Sequence, residues 1–199
     1  MAINYSVQAE VVDINSDTPK AEDVFLVDTN VWYWMTYPNA TRLCEEYPRY
    51  VDNALKAKST IHHSGLSLAE LTHLIEKTER DIYCQYVADE QAKEYRHNET
   101  SERSRIVSEI QSAWSQVLNL ASPIAVAIDA ETSNAALKRL ETQKVDGYDL
   151  FILESMMNSS IVQVITDDGD FSTVPGIQIF TANRNVIKAA QLQKKLISR

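Results

Sequence analysis

Short apolar runs separated by long helical patterns constrain this chain more than any other feature it has. VFLV at 24–27, IAVAI at 124–128, SIVQVI at 160–165 and IQIF at 177–180 are too brief for buried helices, and STIHH at 59–63 is a weaker member of the set. Continuous apolar runs of this length suit strands covered on both faces, as in a parallel sheet between helical layers. Ser67 followed by Glu70, then Leu71, Leu74 and Ile75, reads as a capped amphipathic helix. Residues 80–97 and 101–120 are long, polar and free of glycine, with Ile106, Ile110, Trp114 and Val117 at helical spacing, so they predict a helical pair inserted between strands. Asp129–Leu140, Asp149–Met157 and Asn185–Leu196 supply further helices. Strands alternating with helices predict an α/β protein, a three-layer α/β/α sandwich around a central, mostly parallel sheet. With four glycines, five prolines and no repeat or low-complexity tract, nothing divides residues 23–199 into two domains. The helical insert covers about 80–120, and residues 1–22 form a leader that could add a strand through YSVQAEVV.

Hydrophobic residues at 44% and charged residues at 24% exclude a disordered or fibrous chain. Cys44 and Cys84 form neither a CxxC nor a Cys/His ligand spacing, which argues against a disulfide framework or a zinc site. The N-terminal stretch lacks a basic region followed by an apolar one, and no apolar run could span a bilayer. A cytoplasmic protein without membrane contact is the expectation. The net charge of -9 is uneven: beyond Phe171 there are Arg184, Lys188, Lys194, Lys195 and Arg199 and no acid. An acidic surface repels a phosphate backbone, so contact with nucleic acid would need local basic patches or a bound cation.

In parallel α/β sheets ligands bind beyond the carboxyl ends of the strands, and that rule gathers the acids of this sequence. VFLV ends in Asp28, and SIVQVI ends in Thr166, Asp167, Asp168 and Asp170. STIHH leads into the helix carrying Glu70, and Asp149 opens the helix DLFILESMM. Each has a bland alternative. Asp28 with Asn30 could make a turn and a cap, Glu70 could only complete the Ser67 cap, and Asp146 with Asp149 could be cap and dipole partner. Together, however, carboxylates converging to about 5 Å would repel by roughly 3 kcal/mol per pair at an effective dielectric near 20. VFLVDTN, SLAEL, GYDLFILE and VITDDGDF contain no Lys or Arg to offset that repulsion. An all-oxygen set of this kind suits Mg²⁺ or Mn²⁺.

The motifs FLVDTN, LSLAEL, YDLFILESM and VITDDGDF, in that order across residues 24–171, resemble those of the PIN-domain nucleases. The resemblance implies a PIN-like fold and a site of four acids at Asp28, Glu70, Asp149 and Asp168, with Asp170 a frequent fifth. Thr166 is similar to the hydroxyl that orients them, and Asn30 follows the first acid as the motif has it. It implies hydrolysis of phosphodiester bonds, most often in RNA. Asp28, Asp149 and Asp168 would hold Mg²⁺ or Mn²⁺, while Glu70 and Asp170 complete the pocket or hold a second ion. Many small relatives are toxins of VapBC-type toxin–antitoxin pairs, so an antitoxin partner and a homodimer are further implied candidates. Glu154 and its bulky neighbours depart from the small residues usual in that third motif, and the insert makes the chain longer than the compact toxins.

Two other readings compete. A haloacid-dehalogenase-type phosphatase also begins its site with a strand ending in Asp, but needs a second Asp where Asn30 stands. A non-catalytic partner-binding module could use the 80–120 insert as its interface. His62 and His63 are adjacent on a strand and point to opposite faces, so they do not share an ion. Trp32, Tyr33 and Trp34 read as core aromatics before they read as base-stacking groups. Arg103, Arg105 and the tail from Arg184 could guide a phosphate backbone, or could be solvated helix faces.

Overall fold

The computed structural model describes residues 3–40, 44–87 and 89–199. Its strands are β1 (Glu10–Asp13), β2 (Val24–Val27), β3 (Thr60–Ser64), β4 (Ser122–Ile124), β5 (Gln163–Ile165), β6 (Gln178–Thr181) and β7 (Leu196–Ile197). They form one sheet in the order β4-β3-β2-β5-β6-β1-β7, with every pairing parallel. Successive residues of each strand enter different cores, as the period of two requires. Val11, Leu26, Val164 and Ile179 face one apolar cluster, and Val12, Phe25, Ile165 and Phe180 face the other. The first cluster is closed by α6 (Ala130–Arg139), α7 (Asp149–Asn158) and α8 (Arg184–Leu192). The second is closed by α1 (Thr29–Thr36), α2 (Glu46–Ala57) and the end of α5 (Thr100–Leu120). The expected three-layer α/β/α sandwich follows from this alternation.

The strand edges differ from the sequence expectation for local reasons. The run IAVAI does not continue the sheet, because β4 is an edge strand paired only through Ser122–Ile124, after which Ala125, Ala127 and Ile128 are exposed. SIVQVI shortens to Gln163–Ile165 because Ser160 turns the chain with φ 55. Of the stretch YSVQAEVV, only its end is strand: β1, over Glu10–Asp13, lies between β6 and β7. The final helix stops at Leu192, where Lys194 with φ 58 reverses the chain into β7, so Leu196 is strand and not helix.

The insert is built differently from a pair at 80–97 and 101–120. α3 runs unbroken over Leu66–Tyr86, followed by α4 (Ala92–Asn98) and α5. Gly65 precedes α3 without a side-chain cap bond, and Ser67 is buried within the first turn, so the proposed Ser67–Glu70 cap does not form. A third apolar cluster joins these helices to α1 through Tyr37, Leu71, Ile75, Tyr95, Ile106 and Ala113. Beside it lie two buried acids of α3. Glu76 accepts from Arg96 and Arg103, and Glu79 pairs with Arg105 at 2.5 Å and accepts from Tyr37 and Asn39. Arg103 and Arg105 are therefore tied to the buried acids of α3 and hold the insert together. Trp32 and Tyr33 are core residues, and Trp34 lies partly buried against Tyr47.

Nor does the basic tail end in a solvated helix. Arg199 lies 4.6 Å over the Phe180 ring and bonds Asp17 and Asp23, whose side chains are 2% and 3% exposed. Removing one partner of such a buried network strands the others. Arg199→Ala is expected to lower the unfolding free energy by about 3 kcal/mol, read as a lower denaturant midpoint in urea titration.

Candidate metal centre

β2 and β5 lie side by side at the point where the chain order reverses, with β3 and β4 continuing on one side and β6 on the other. A crevice opens at such a switch point beyond the carboxyl ends of the strands. Here it is a cavity of about 710 Å³, lined by Asp28, Asn30, Glu70, His73, Tyr148, Asp149 and Asp168 among others. Oxygens of Asp28, Glu70 and Asp149 all lie within 4.8 Å of one another.

Each acid is positioned by a short local device. Asp28 ends β2 and caps α1, its Oδ1 accepting from the Thr29 amide at 2.5 Å. Its Oδ2 accepts from the fully buried Thr166 hydroxyl at 2.5 Å, and the same hydroxyl oxygen accepts from the Asp168 amide at 2.9 Å. One threonine at the end of β5 thus fixes both Asp28 and the turn that carries Asp168. The Thr29 hydroxyl donates to Glu70 Oε2 across the crevice. Asp149 is the first residue of α7, and no side-chain cap precedes it, so the bland assignment of Asp146 as a helix cap does not hold. The cap assignment for Asp28 does hold, alongside its place in the cluster.

Electrostatics separate this set from ordinary surface acids. Burial, then the charges of Glu70 and Asp168, pushes Asp28 well above the usual carboxylate range despite its hydrogen bonds from Thr166 and Thr29. Burial and the charges of Asp28, Glu70, Asp168 and Asp146 raise Asp149 further. Glu70 moves up for the same two causes, burial first and then Asp168. Asn30 Oδ1, on the same wall, is buried without a hydrogen-bond partner among the described residues. A donor set of carboxylate oxygens and one orphaned amide oxygen fits a hard divalent cation such as Mg²⁺ or Mn²⁺.

The other acids take different places. Asp168 lines the cavity outside the 4.8 Å set, its Oδ1 accepting from the Asp170 amide at 2.8 Å. Asp170 belongs to a 3-10 turn (Gly169–Thr173) and lines a neighbouring cavity of about 200 Å³ with Tyr5 and Lys144. Asp167 accepts from the Tyr47 hydroxyl at 2.5 Å, tying the turn to α2. Glu154 pairs with Arg139 of α6, away from the crevice acids. His63 is buried edge-on to Trp114, and His62 Nδ1 faces the Ser122 carbonyl. Sequence reasoning passed over Thr29, His73 and Tyr148. Thr29 was visible beside the first acid, whereas His73 and Tyr148 gain meaning only from the cavity.

The family model for the PIN domain matches residues 25–177. The chain belongs to the PIN domain family. Asp28, Glu70, Asp149 and Asp168 all fall within the matched span. Among solved structures, the crystal structure of VapBC2 from Rickettsia felis bound to a DNA fragment from its promoter is 14% identical, with a TM-score of 0.49, and the match covers 79% of this chain and 98% of that one. PAE2754 from Pyrobaculum aerophilum is also 14% identical, with a TM-score of 0.44, covering 86% of this chain and 97% of that one. No curated protein matches the chain.

The raised carboxyls set a sign for pH dependence. A group whose folded pKa lies above its unfolded value stabilises the fold below the unfolded value and loses that contribution as pH rises through the folded one. In EDTA, Asp149→Asn is expected to be more stable than the parent chain at pH 8, by on the order of 1–3 kcal/mol. The difference should shrink as pH falls toward the ordinary carboxylate range near pH 4, as read by thermal melts across that window.

Proposed function

We propose that this PIN-domain protein is a divalent-metal-dependent endoribonuclease. The observation that carries the reading is the convergence of Asp28, Glu70 and Asp149 to within 4.8 Å at the sheet's switch point, with no Lys or Arg among the described residues that line the cavity. Asp28, Glu70 and Asp149 would hold Mg²⁺ or Mn²⁺, with Asp168 beside them acting through a bridging water. The sequence expectation has Asp28, Asp149 and Asp168 hold the ion, with Glu70 and Asp170 completing the pocket or holding a second one. A bound cation would supply a water of lowered pKa and charge stabilisation on the phosphoryl oxygens. The chain's own contribution is preorganisation: Thr166 and the α1 N-terminus aim Asp28, and Thr29 aims Glu70. Tyr148, exposed at the cavity rim next to Asp149, offers a ring on which a base can stack.

A toxin role with an antitoxin partner is the finer form of this reading, and it rests on the family resemblance. Growth arrest on expression of the chain alone, relieved by a short protein encoded beside it, would support that form. The partner-module reading lacks support from the site, because raised carboxyls brought together and not dispersed are a cost a purely structural fold has no reason to retain. The phosphatase reading fails at Asn30, which stands where a second aspartate is required.

Mn²⁺-dependent cleavage of a structured RNA is expected from the parent chain and is expected to vanish in Asp28→Asn/Asp168→Asn. Millimolar Mn²⁺ should raise the melting temperature of the parent chain and leave the double variant's unchanged, since a ligand bound only by the native state stabilises it.

A further inference from the structure

α3 carries more than Glu70 on the face that meets the crevice. Glu70, His73, Lys77 and Arg80 follow one another at steps of three and four residues, which places them in one stripe along the helix. His73 lines the acidic cavity and also a second groove of about 280 Å³, whose walls are His73, Glu76, Lys77, Arg80 and Arg96. The two depressions therefore adjoin at His73. From Glu70 to Arg80 the stripe extends for roughly 15 Å at the rise of an α-helix.

The sign of this groove is opposite to that of the protein. The chain carries a net charge of -9, whereas the groove presents three cations against Glu76, which lies buried beneath Arg96 and Arg103. The Arg96 side chain remains 47% exposed while bonded to Glu76, so it keeps donors for a ligand. Lys77 is exposed, and Arg80 pairs only at the surface, with Asp81 at 3.0 Å. On the His73 side of the acidic cavity the adjoining surface is this cationic strip.

We propose that the groove between α3 and α4 is the track along which a single-stranded RNA substrate runs out of the catalytic cavity, its phosphates held by Lys77, Arg80 and Arg96. His73 stands at the junction. RNA as the occupant rests on the nuclease reading above, and charge complementarity with adjacency to the cavity selects the path. The device suits an acidic protein: a cationic strip beside the site offsets the repulsion that a net charge of -9 exerts on the substrate.

The test uses Lys77→Gln/Arg80→Gln, two substitutions at the surface that leave the Arg96–Glu76 pair and the crevice acids intact. With Mn²⁺, this variant is expected to hydrolyse bis(p-nitrophenyl) phosphate, a diester too small to reach the groove, at the parent rate. On a short single-stranded RNA its KM should rise about fivefold or more with kcat unchanged. Binding is measured with the same fluorescent RNA in an Asp149→Asn background. There, loss of two phosphate contacts should make the slope of log affinity against log salt shallower by about 1.4. Unchanged KM and unchanged salt slope would overturn the proposal. A parent chain that binds no single-stranded RNA at low salt would also overturn it, leaving the groove to an acidic protein partner. If the parent cleaves neither substrate, the nuclease reading fails by itself, while a shallower slope in the variant still sustains the track.

Discussion

The fully buried hydroxyl of Thr166 is the contact on which the rest of the site depends. It donates to Asp28 at the end of β2 and accepts from the Asp168 amide at the start of the next turn, so one oxygen registers two strands and two acids. The backbone supports the same junction, with the Asp28 amide bonding the Ile165 carbonyl. A buried carboxylate costs free energy unless it is hydrogen-bonded, and Asp28 meets that condition with Thr166 and the α1 N-terminus. Glu70 meets it with Thr29. These bonds hold the carboxyls in place without removing their mutual repulsion, and the result is a site strained electrostatically but not sterically.

Much of this was legible in the sequence because it is written in short range. VFLV followed by Asp28, and VITDDGDF with its threonine and aspartates, each encode a strand and its terminal acid in adjacent residues. The rule that ligands gather at the carboxyl ends of parallel strands did the rest. What escaped was decided by distant partners. Whether Ser67 caps a helix or is buried inside it depends on where Gly65 lets α3 begin, and its sequence spacing to Glu70 is the same in both cases. Arg103, Arg105 and Arg199 read as free surface charge because their buried acids, Glu76, Glu79, Asp17 and Asp23, lie far off along the chain.

The insert packs against the α/β core beside the crevice. α3 is one rigid element with two duties: its first turns present Glu70 to the crevice, and its later turns bury Glu76 and Glu79 against arginines from α4 and α5. The third apolar cluster, anchored by Tyr37, Leu71 and Ile106, fixes α3 from the outer side. The added helices therefore stiffen a wall of the cavity.

Residues 5–13 are stitched to residues 178–197 around the turn that bears Asp168 and Asp170. A Cβ on Gly169 would stand 2.3 Å from the Tyr5 ring, so the leader lies directly against that turn. The Val7 amide bonds Gln193, 186 residues away, and β1 fills the gap between β6 and β7. The consequence is one of timing. During synthesis β1 must wait, unpaired, until β6 and β7 have emerged, since Glu10–Asp13 pairs with Gln178–Thr181 and Leu196–Ile197, far along the chain. The acidic turn is clamped only then, so a nascent chain that has passed β5 but not yet β7 carries the acids of the crevice without the seam that closes around them.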